Sequence, residues 1–240
     1  MKIPAFRYMG GKARLRNWLI QHFPPNGNFY LEPFAGLGNV FFAAKGRLDF
    51  KKWWLNDTNT FLRSLLKLDT KLLPQQVHKE DFNYWKRKND DVARVMEPRI
   101  TFGGKGYKYG YSGSSGTHKG YSGELYKVVC NSAKELLASV SITNLSWEKL
   151  GIETFDFRDF VYCDPPYFGT SASYSNIKHE DLVRVLNASR CRWAISGYSN
   201  NLYDTHLNYK NCYVSKRNSE IKGSNARKKK PVVELLWTNF

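Results

Sequence analysis

Asp164 is followed directly by Pro165, Pro166 and Tyr167, after a Cys163 that ends an apolar run. Two prolines fix the backbone and remove two N–H donors, which leaves carbonyl oxygens to accept hydrogen bonds. A flat exocyclic amine, such as N6 of adenine, has two N–H groups to place. Asp164 can accept one and the Pro165 carbonyl the other, turning the nitrogen lone pair toward an incoming methyl group. Tyr167 can stack on the ring that carries the amine. A duplex hides that amine from any pocket, so this chemistry requires a flipped-out base. The plainer reading is a proline-bounded strand end, with Asp164 capping a helix and Tyr167 packing.

A second group is Glu32-Pro33-Phe34-Ala35-Gly36-Leu37-Gly38-Asn39, where an expected strand turns into a helix. Its glycines let the backbone approach a ligand closely. Asp57 lies at the expected end of the next strand, where a carboxylate accepts both hydroxyls of a ribose. A single GxG, in place of GxGxxG, suits a nucleoside without a pyrophosphate, favouring S-adenosylmethionine over NAD. A tight structural turn and a capping Asp would account for the same residues without a ligand.

The elements that must hold these groups are legible from periodicity. Residues 13–23 have helical spacing and stop at Pro24-Pro25. Strands are expected at Phe29–Leu31, at residues 51–57, at Phe160–Cys163 and at residues 192–199. Helices are expected at Asn39–Lys45, at residues 58–73 with Thr58 or Asn59 as N-cap, at 126–139 and at 179–189. Residues 80–102 are charged and weakly helical, and glycines recurring from Gly103 to Gly123 weigh against a long regular element. Residues 208–218 and 231–240 carry β-formers with no helix between them, so they read as an antiparallel pair appended to a parallel sheet.

Thirty-seven Lys and Arg against 21 Asp and Glu give a net charge of +16, a field that attracts polyanions. With 15% aromatic residues, that balance suits phosphate contacts and base stacking. Cys130, Cys163, Cys191 and Cys212 form no CxxC pair, so neither a metal site nor a disulfide framework is indicated. No apolar run reaches the ~18–20 residues of a membrane span, and no apolar h-region follows Met1. A reduced cytoplasmic setting is the expectation.

Asp164-Pro165-Pro166-Tyr167 and Pro33-Phe34-Ala35-Gly36-Leu37-Gly38, with the opening Arg7-Tyr8-Met9-Gly10-Gly11-Lys12, resemble the Dam-like (D12 class, alpha-group) DNA adenine N6-methyltransferases. The resemblance implies an α/β, Rossmann-like S-adenosylmethionine-dependent methyltransferase sheet with an antiparallel C-terminal strand pair. It also implies a mostly helical and loop target-recognition insert, assigned to 76–130, between core segments 1–75 and 131–240. Cofactor roles follow for Tyr8, Gly11, Lys12, Pro33, Phe34, Ala35, Gly36, Gly38, Asp57, Trp147 and Asp164. Catalytic roles follow for Asp164, Pro165, Pro166 and Tyr167. Tyr8 stands where many members have Trp, and Gly197 where relatives often have Asn. In the insert, Lys105, Tyr107, Lys108, Tyr109, Tyr111 and Lys119 suit backbone tracking and stacking on double-stranded DNA. Arg227, Lys228 and Lys229 resemble the family's basic loop before the last strand.

The expected reaction is a direct in-line methyl transfer to a flipped adenine of double-stranded DNA, by a protein acting as a monomer with no metal or membrane. Asp164 argues against N4-cytosine enzymes, which commonly carry Ser there, and against glutamine-methylating relatives, which carry Asn. Cys163 precedes the motif, so it does not suit C5-cytosine chemistry. An RNA adenine methyltransferase and a non-catalytic DNA-binding relative stay open.

Overall fold

All four residues of the strand Phe160–Cys163 are buried, so this strand must be covered on both faces. Phe160 and Tyr162 pack into a cluster with Leu19, Phe41, Leu65 and Ala133, whereas Val161 and Cys163 pack with Leu182, Leu186 and Trp193. The two clusters define helical layers on either side of one sheet. The computed structural model describes residues 3–7, 11–104, 106–112, 121–168, 177–218 and 231–240.

Among the described residues the strands are β1 (Asn26–Glu32), β2 (Asp49–Asn56), β3 (Ser141–Thr143), β4 (Phe160–Cys163), β5 (Arg192–Gly197), β6 (Asn211–Asn218) and β7 (Pro231–Thr238). They form one sheet in the order β3-β2-β1-β4-β5-β7-β6. β1 to β5 run parallel, and β7 lies antiparallel between β5 and β6. The expected α/β sheet with an appended antiparallel pair is therefore the observed one. The helices are α1 (Arg16–Gln21), α2 (Asn39–Lys45), α3 (Phe61–Lys67), α4 (Phe82–Arg87), α5 (Asp91–Ile100), α6 (Gly123–Leu137), α7 (His179–Ala188) and α8 (Asn201–His206).

The direction of winding reverses between β1 and β4, and open sheets of this kind form a crevice outside the carboxyl ends of such strands. Glu32, Asp57, Asp164 and Gly197 all sit at or just past those ends. Because β7 is antiparallel, its pairing of Leu235 with Gly197 brings the start of the last strand to the same rim.

Three departures from the sequence reading have physical causes. α3 begins at Phe61, with Thr60 as its N-cap, and not at Thr58 or Asn59. Asp57 and Asn59 each accept from the backbone N–H two residues on, at 2.8 Å, and these turns hold the chain out of the helix. β3 and α8 are too short, at three and six residues, to carry a period. α6 starts before residue 126 because Ser122 caps it, and Gly123 is needed there, since a Cβ would lie 2.4 Å from the Pro74 carbonyl oxygen.

The segment assigned as an insert holds α4, α5, two 3-10 turns (Phe102–Gly104 and Tyr107–Tyr109) and the beginning of α6, so the boundary expected at 130/131 falls inside that helix. Val95, Met96, Ile100, Tyr121 and Tyr126 share the cluster of Phe6, Phe61 and Leu65.

Candidate active site

The opening segment is tied down before any site residue is reached. Asn39 binds the backbone of Phe6 twice, donating to its carbonyl and accepting from its N–H, both at 2.9 Å. Arg16 donates to the Pro4 carbonyl at 2.6 Å. The Lys12–Arg14 turn follows, and it delivers the Lys12 side chain, 4% exposed, into the rim of the sheet.

There Lys12 Nζ lies 2.5 Å from Asp164 Oδ1 and 3.3 Å from Glu234 Oε1. Burial disfavours its charge, but Asp164 and Glu234 more than offset this, so its pKa stands above that of an ordinary lysine. Burial raises the Asp164 carboxyl, and Lys12 pulls it back only in part. Ser196 Oγ also donates to Asp164 Oδ1, at 3.0 Å. Its one proton is thereby committed, so Tyr162 must donate to Ser196, at 2.9 Å. Both partners fall on Oδ1. Asp164 Oδ2 has no hydrogen-bond partner among the described residues.

Tyr167 is fixed on three sides. Its hydroxyl donates to Glu234 Oε1, Lys12 Nζ stands 4.7 Å over its ring, and Tyr198 meets it edge-on at 4.4 Å. Burial first, and then Asp164 and Glu234, push its pKa far up, so the hydroxyl stays a donor. Pro166 accepts from His179, whose ring is held at 2.6 Å by the Tyr203 hydroxyl.

On the other side of the switch, Gly36 and Gly38 take positive φ values of 54° and 75°. The turn is pinned to β2 by Ala35 N–H donating to Asn56 O at 2.9 Å and by Asn56 Nδ2 donating to Pro33 O at 3.0 Å. Asp57 accepts from Gly36 N–H at 2.6 Å and from Asn59 N–H at 2.8 Å. Burial still leaves its pKa raised. A Cβ on Gly36 would meet nothing within 4 Å, so the turn faces open space at this point. Asn144 donates to Asp57 O at 2.8 Å while its own Oδ1 is buried without a hydrogen-bond partner among the described residues. Trp147, 6.3 Å from Phe34 between ring centres, likewise has a buried, unpartnered Nε1.

Glu32 and Glu234 lie outside the sets of site residues expected from sequence. Both are buried, at 2% and 3% exposed. Tyr30 donates to Glu32 at 2.6 Å. Burial raises the Glu32 carboxyl to about 8 against the Tyr30 bond, with Asp164 and Asp57 adding to the rise. A carboxylate inside an apolar strand run, as in Val233-Glu234-Leu235, is the sequence signal that could have found the second.

Of the expected nucleic-acid residues, Tyr107 donates its hydroxyl to Ala93 O at 2.8 Å and Tyr111 to Val77 O at 3.2 Å. Tyr107 thereby holds the Tyr107–Tyr109 turn onto α5 and Tyr111 ties its segment to the chain before α4, while Tyr109 is exposed with Lys108 Nζ 5.1 Å over its ring. Tyr8, Lys105, Lys119, Arg227, Lys228 and Lys229 lie outside the described residues. No group of three His, Cys, Asp or Glu among the described residues is placed to hold a metal ion. No helix among them is long and apolar enough to cross a membrane.

Comparison with known proteins adds a sequence match and several distant folds. The chain is 25% identical to modification methylase StsI of Streptococcus sanguinis, over 97% of this chain and 42% of that protein, so it spans less than half of that relative's length. Among solved structures, a putative RNA methyltransferase from Pyrococcus horikoshii is 10% identical, with a TM-score of 0.45 over 98% of this chain and 86% of that one. A putative methyltransferase from Streptococcus mutans, solved in complex with SAH, is 11% identical, with a TM-score of 0.41 over 94% and 95%. The match to a family model covers residues 8–93, from the opening motif through the glycine turn and Asp57, and stops before Asp164. Over that segment the chain matches the D12 class N6 adenine-specific DNA methyltransferases, the family its opening, glycine-turn and Asp-Pro-Pro-Tyr residues resemble.

Proposed function

We propose that this chain transfers a methyl group from S-adenosylmethionine to N6 of an adenine flipped out of double-stranded DNA. The observation that carries the reading is that Asp164 Oδ2 has no partner among the described residues, beside an Oδ1 that is fully engaged. An acceptor fixed through one oxygen and open through the other is what a planar amine requires. The Pro165 carbonyl serves as its second acceptor, and the braced Tyr167 ring as a stacking surface. Orientation and hydrogen bonding supply the rate, and Asp164 need not be a strong base, because the amine loses its proton after the methyl arrives.

The cofactor side fits a nucleoside. Gly36 opens onto empty space, Asp57 is aimed by two backbone N–H groups, and Asn144 Oδ1 and Trp147 Nε1, both buried, lack hydrogen-bond partners among the described residues. Bound there, S-adenosylmethionine supplies an electrophilic methyl on sulfur. Pro33, Phe34, Ala35 and Gly38 shape the turn beneath it, and Tyr8, Gly11 and Lys12 close from the N-terminal side. Residues 76–130, with Lys108 and Tyr109 outward, serve target recognition together with Lys105, Lys119 and residues 227–229. The setting is cytoplasmic.

The test offers labelled S-adenosylmethionine with adenine-unmethylated genomic DNA beside total RNA, followed by digestion to nucleosides and mass identification. N6-methyldeoxyadenosine from DNA alone is the expected product. Label in RNA alone assigns the protein to RNA. No label in either, with measurable cofactor binding, makes it a binding module.

A further inference from the structure

Glu234 is a carboxylate in an otherwise apolar stretch of β7, and nothing about strand formation calls for it. A buried ion pair seldom stabilises more than apolar residues of the same volume would, since desolvation consumes the Coulomb gain. Alternation along β7 places Glu234 on the same face as Leu236, under the layer that carries Lys12, with Leu235 and Trp237 on the other. Both of its named partners belong to the candidate active site. Oε1 lies 3.3 Å from Lys12 Nζ and accepts the Tyr167 hydroxyl. Lys12 in turn bonds Asp164 Oδ1 and covers the Tyr167 ring. Asp164, Lys12, Glu234 and Tyr167 therefore form a closed circuit, and its two ends, Asp164 and Tyr167, are three residues apart on the segment that follows β4.

We infer that Glu234 is a positioning residue, which fixes the distance between the Tyr167 ring and the Asp164 carboxylate by holding the Tyr167 hydroxyl and the Lys12 ammonium at once. The inference rests on the proposed methyl transfer. Tyr167 and Asp164 sit on an irregular segment whose backbone has lost N–H donors to two prolines, so its side chains need an anchor outside the segment. β7 is such an anchor, hydrogen-bonded on both edges, to β5 and β6. A base stacked on Tyr167 while donating to Asp164 needs both groups at one spacing. Small errors in that spacing act on turnover more than on cofactor binding.

The experiment is a double-mutant cycle on methyl transfer to genomic DNA, with cofactor Kd and melting temperature recorded for each protein. Glu234→Leu and Tyr167→Phe each lower kcat about 10- to 100-fold, the loss of one hydrogen bond to a charged group, with cofactor Kd unchanged. In the Glu234→Leu background, Tyr167→Phe costs less than about 3-fold more, because the bond is already gone. Glu234→Gln keeps an acceptor for the hydroxyl and an isosteric shape, and it recovers part of the kcat lost in Glu234→Leu. If the leucine variant does not fold, the cycle is run with Glu234→Ala as the single, which also removes the acceptor. Additive losses, or a normal kcat in the Glu234 variants of an active enzyme, overturn the inference and leave the proposed reaction standing. A wild-type protein that methylates neither DNA nor RNA overturns the reaction and this role with it.

Discussion

Lys12 and Asp164 are 152 residues apart in sequence and meet in an ion pair of 2.5 Å. The ammonium also reaches Glu234 at 3.3 Å, so it does not depend on Asp164 alone for its charge. Asp164→Ala accordingly leaves Lys12 paired, and the fold is expected to survive. Methyl transfer should fall by at least about 100-fold, the scale of removing one aligned polar group from a reacting centre. Circular dichroism melting and label transfer check the two halves, and near-normal turnover would end the role of Asp164.

Asp57 is aimed by the N–H groups of Gly36 and Asn59. Asp57→Ala removes the carboxylate proposed to hold the ribose, and one hydrogen bond to a charge is worth about 1.5–3 kcal/mol. Cofactor Kd is expected to rise roughly 10- to 100-fold, with a smaller loss of melting temperature. Isothermal titration with S-adenosylmethionine decides it, and an unchanged Kd would remove the ribose assignment.

The two glycines of the turn should respond differently to alanine. Both have positive φ, so each substitution carries a conformational cost of about 1 kcal/mol. At Gly38 the new Cβ would also press on Phe42 at 3.0 Å and Leu62 at 3.1 Å, whereas at Gly36 it meets nothing within 4 Å. Gly38→Ala should therefore lose more denaturant stability than Gly36→Ala, while Gly36→Ala weakens cofactor binding by filling the ligand's space. Equal stability losses with unchanged cofactor affinity would contradict this division.

Glu32 gives a pH signature. Its folded pKa of about 8 exceeds its unfolded value of 4.5. Between the two, the folded state binds a proton that the unfolded state has released. This group's contribution to stability is fully present below the unfolded pKa and declines as pH rises toward 8, by up to about 1.4 kcal/mol per pH unit. Glu32→Gln mimics the protonated acid, so its melting temperature relative to wild type should be more favourable at pH 9 than at pH 6. A difference independent of pH would show that Glu32 is ionised in the fold.

What was legible in the sequence followed from rules that act locally. β4 and α2 have the expected limits, Phe160–Cys163 and Asn39–Lys45, because a proline pair ends the first and the glycine turn starts the second. The β6–β7 pair was legible because β-formers run on both sides with no helical period between them. Asp164 and Asp57 were legible because each stands immediately past an apolar strand. Glu234 and Ser196 were not legible as site residues. Glu234 takes its place only when β7 enters antiparallel beside β5, and Ser196 meets Asp164 and Tyr162 only through the β4–β5 pairing, neither of which a local pattern specifies. The hydroxyls of Tyr107 and Tyr111, held on Ala93 and Val77, were hidden for the same reason, since a glycine-rich stretch carries no sign of what it folds against.

The position of β7 between β5 and β6 also has a consequence for the newborn chain. Strands β1 to β5 can pair as they leave the ribosome, N-terminal parts first. The carboxylate that Lys12 and Tyr167 share then arrives only when residue 234 has been translated. Until β7 pairs beside β5, the rim of the sheet lacks the Glu234 carboxylate, and Tyr167 lacks that acceptor for its hydroxyl. A chain stopped short of residue 234 would thus bury much of its core while Lys12 and Tyr167 lack their shared carboxylate, and alignment of the rim would follow only when the last strand pairs.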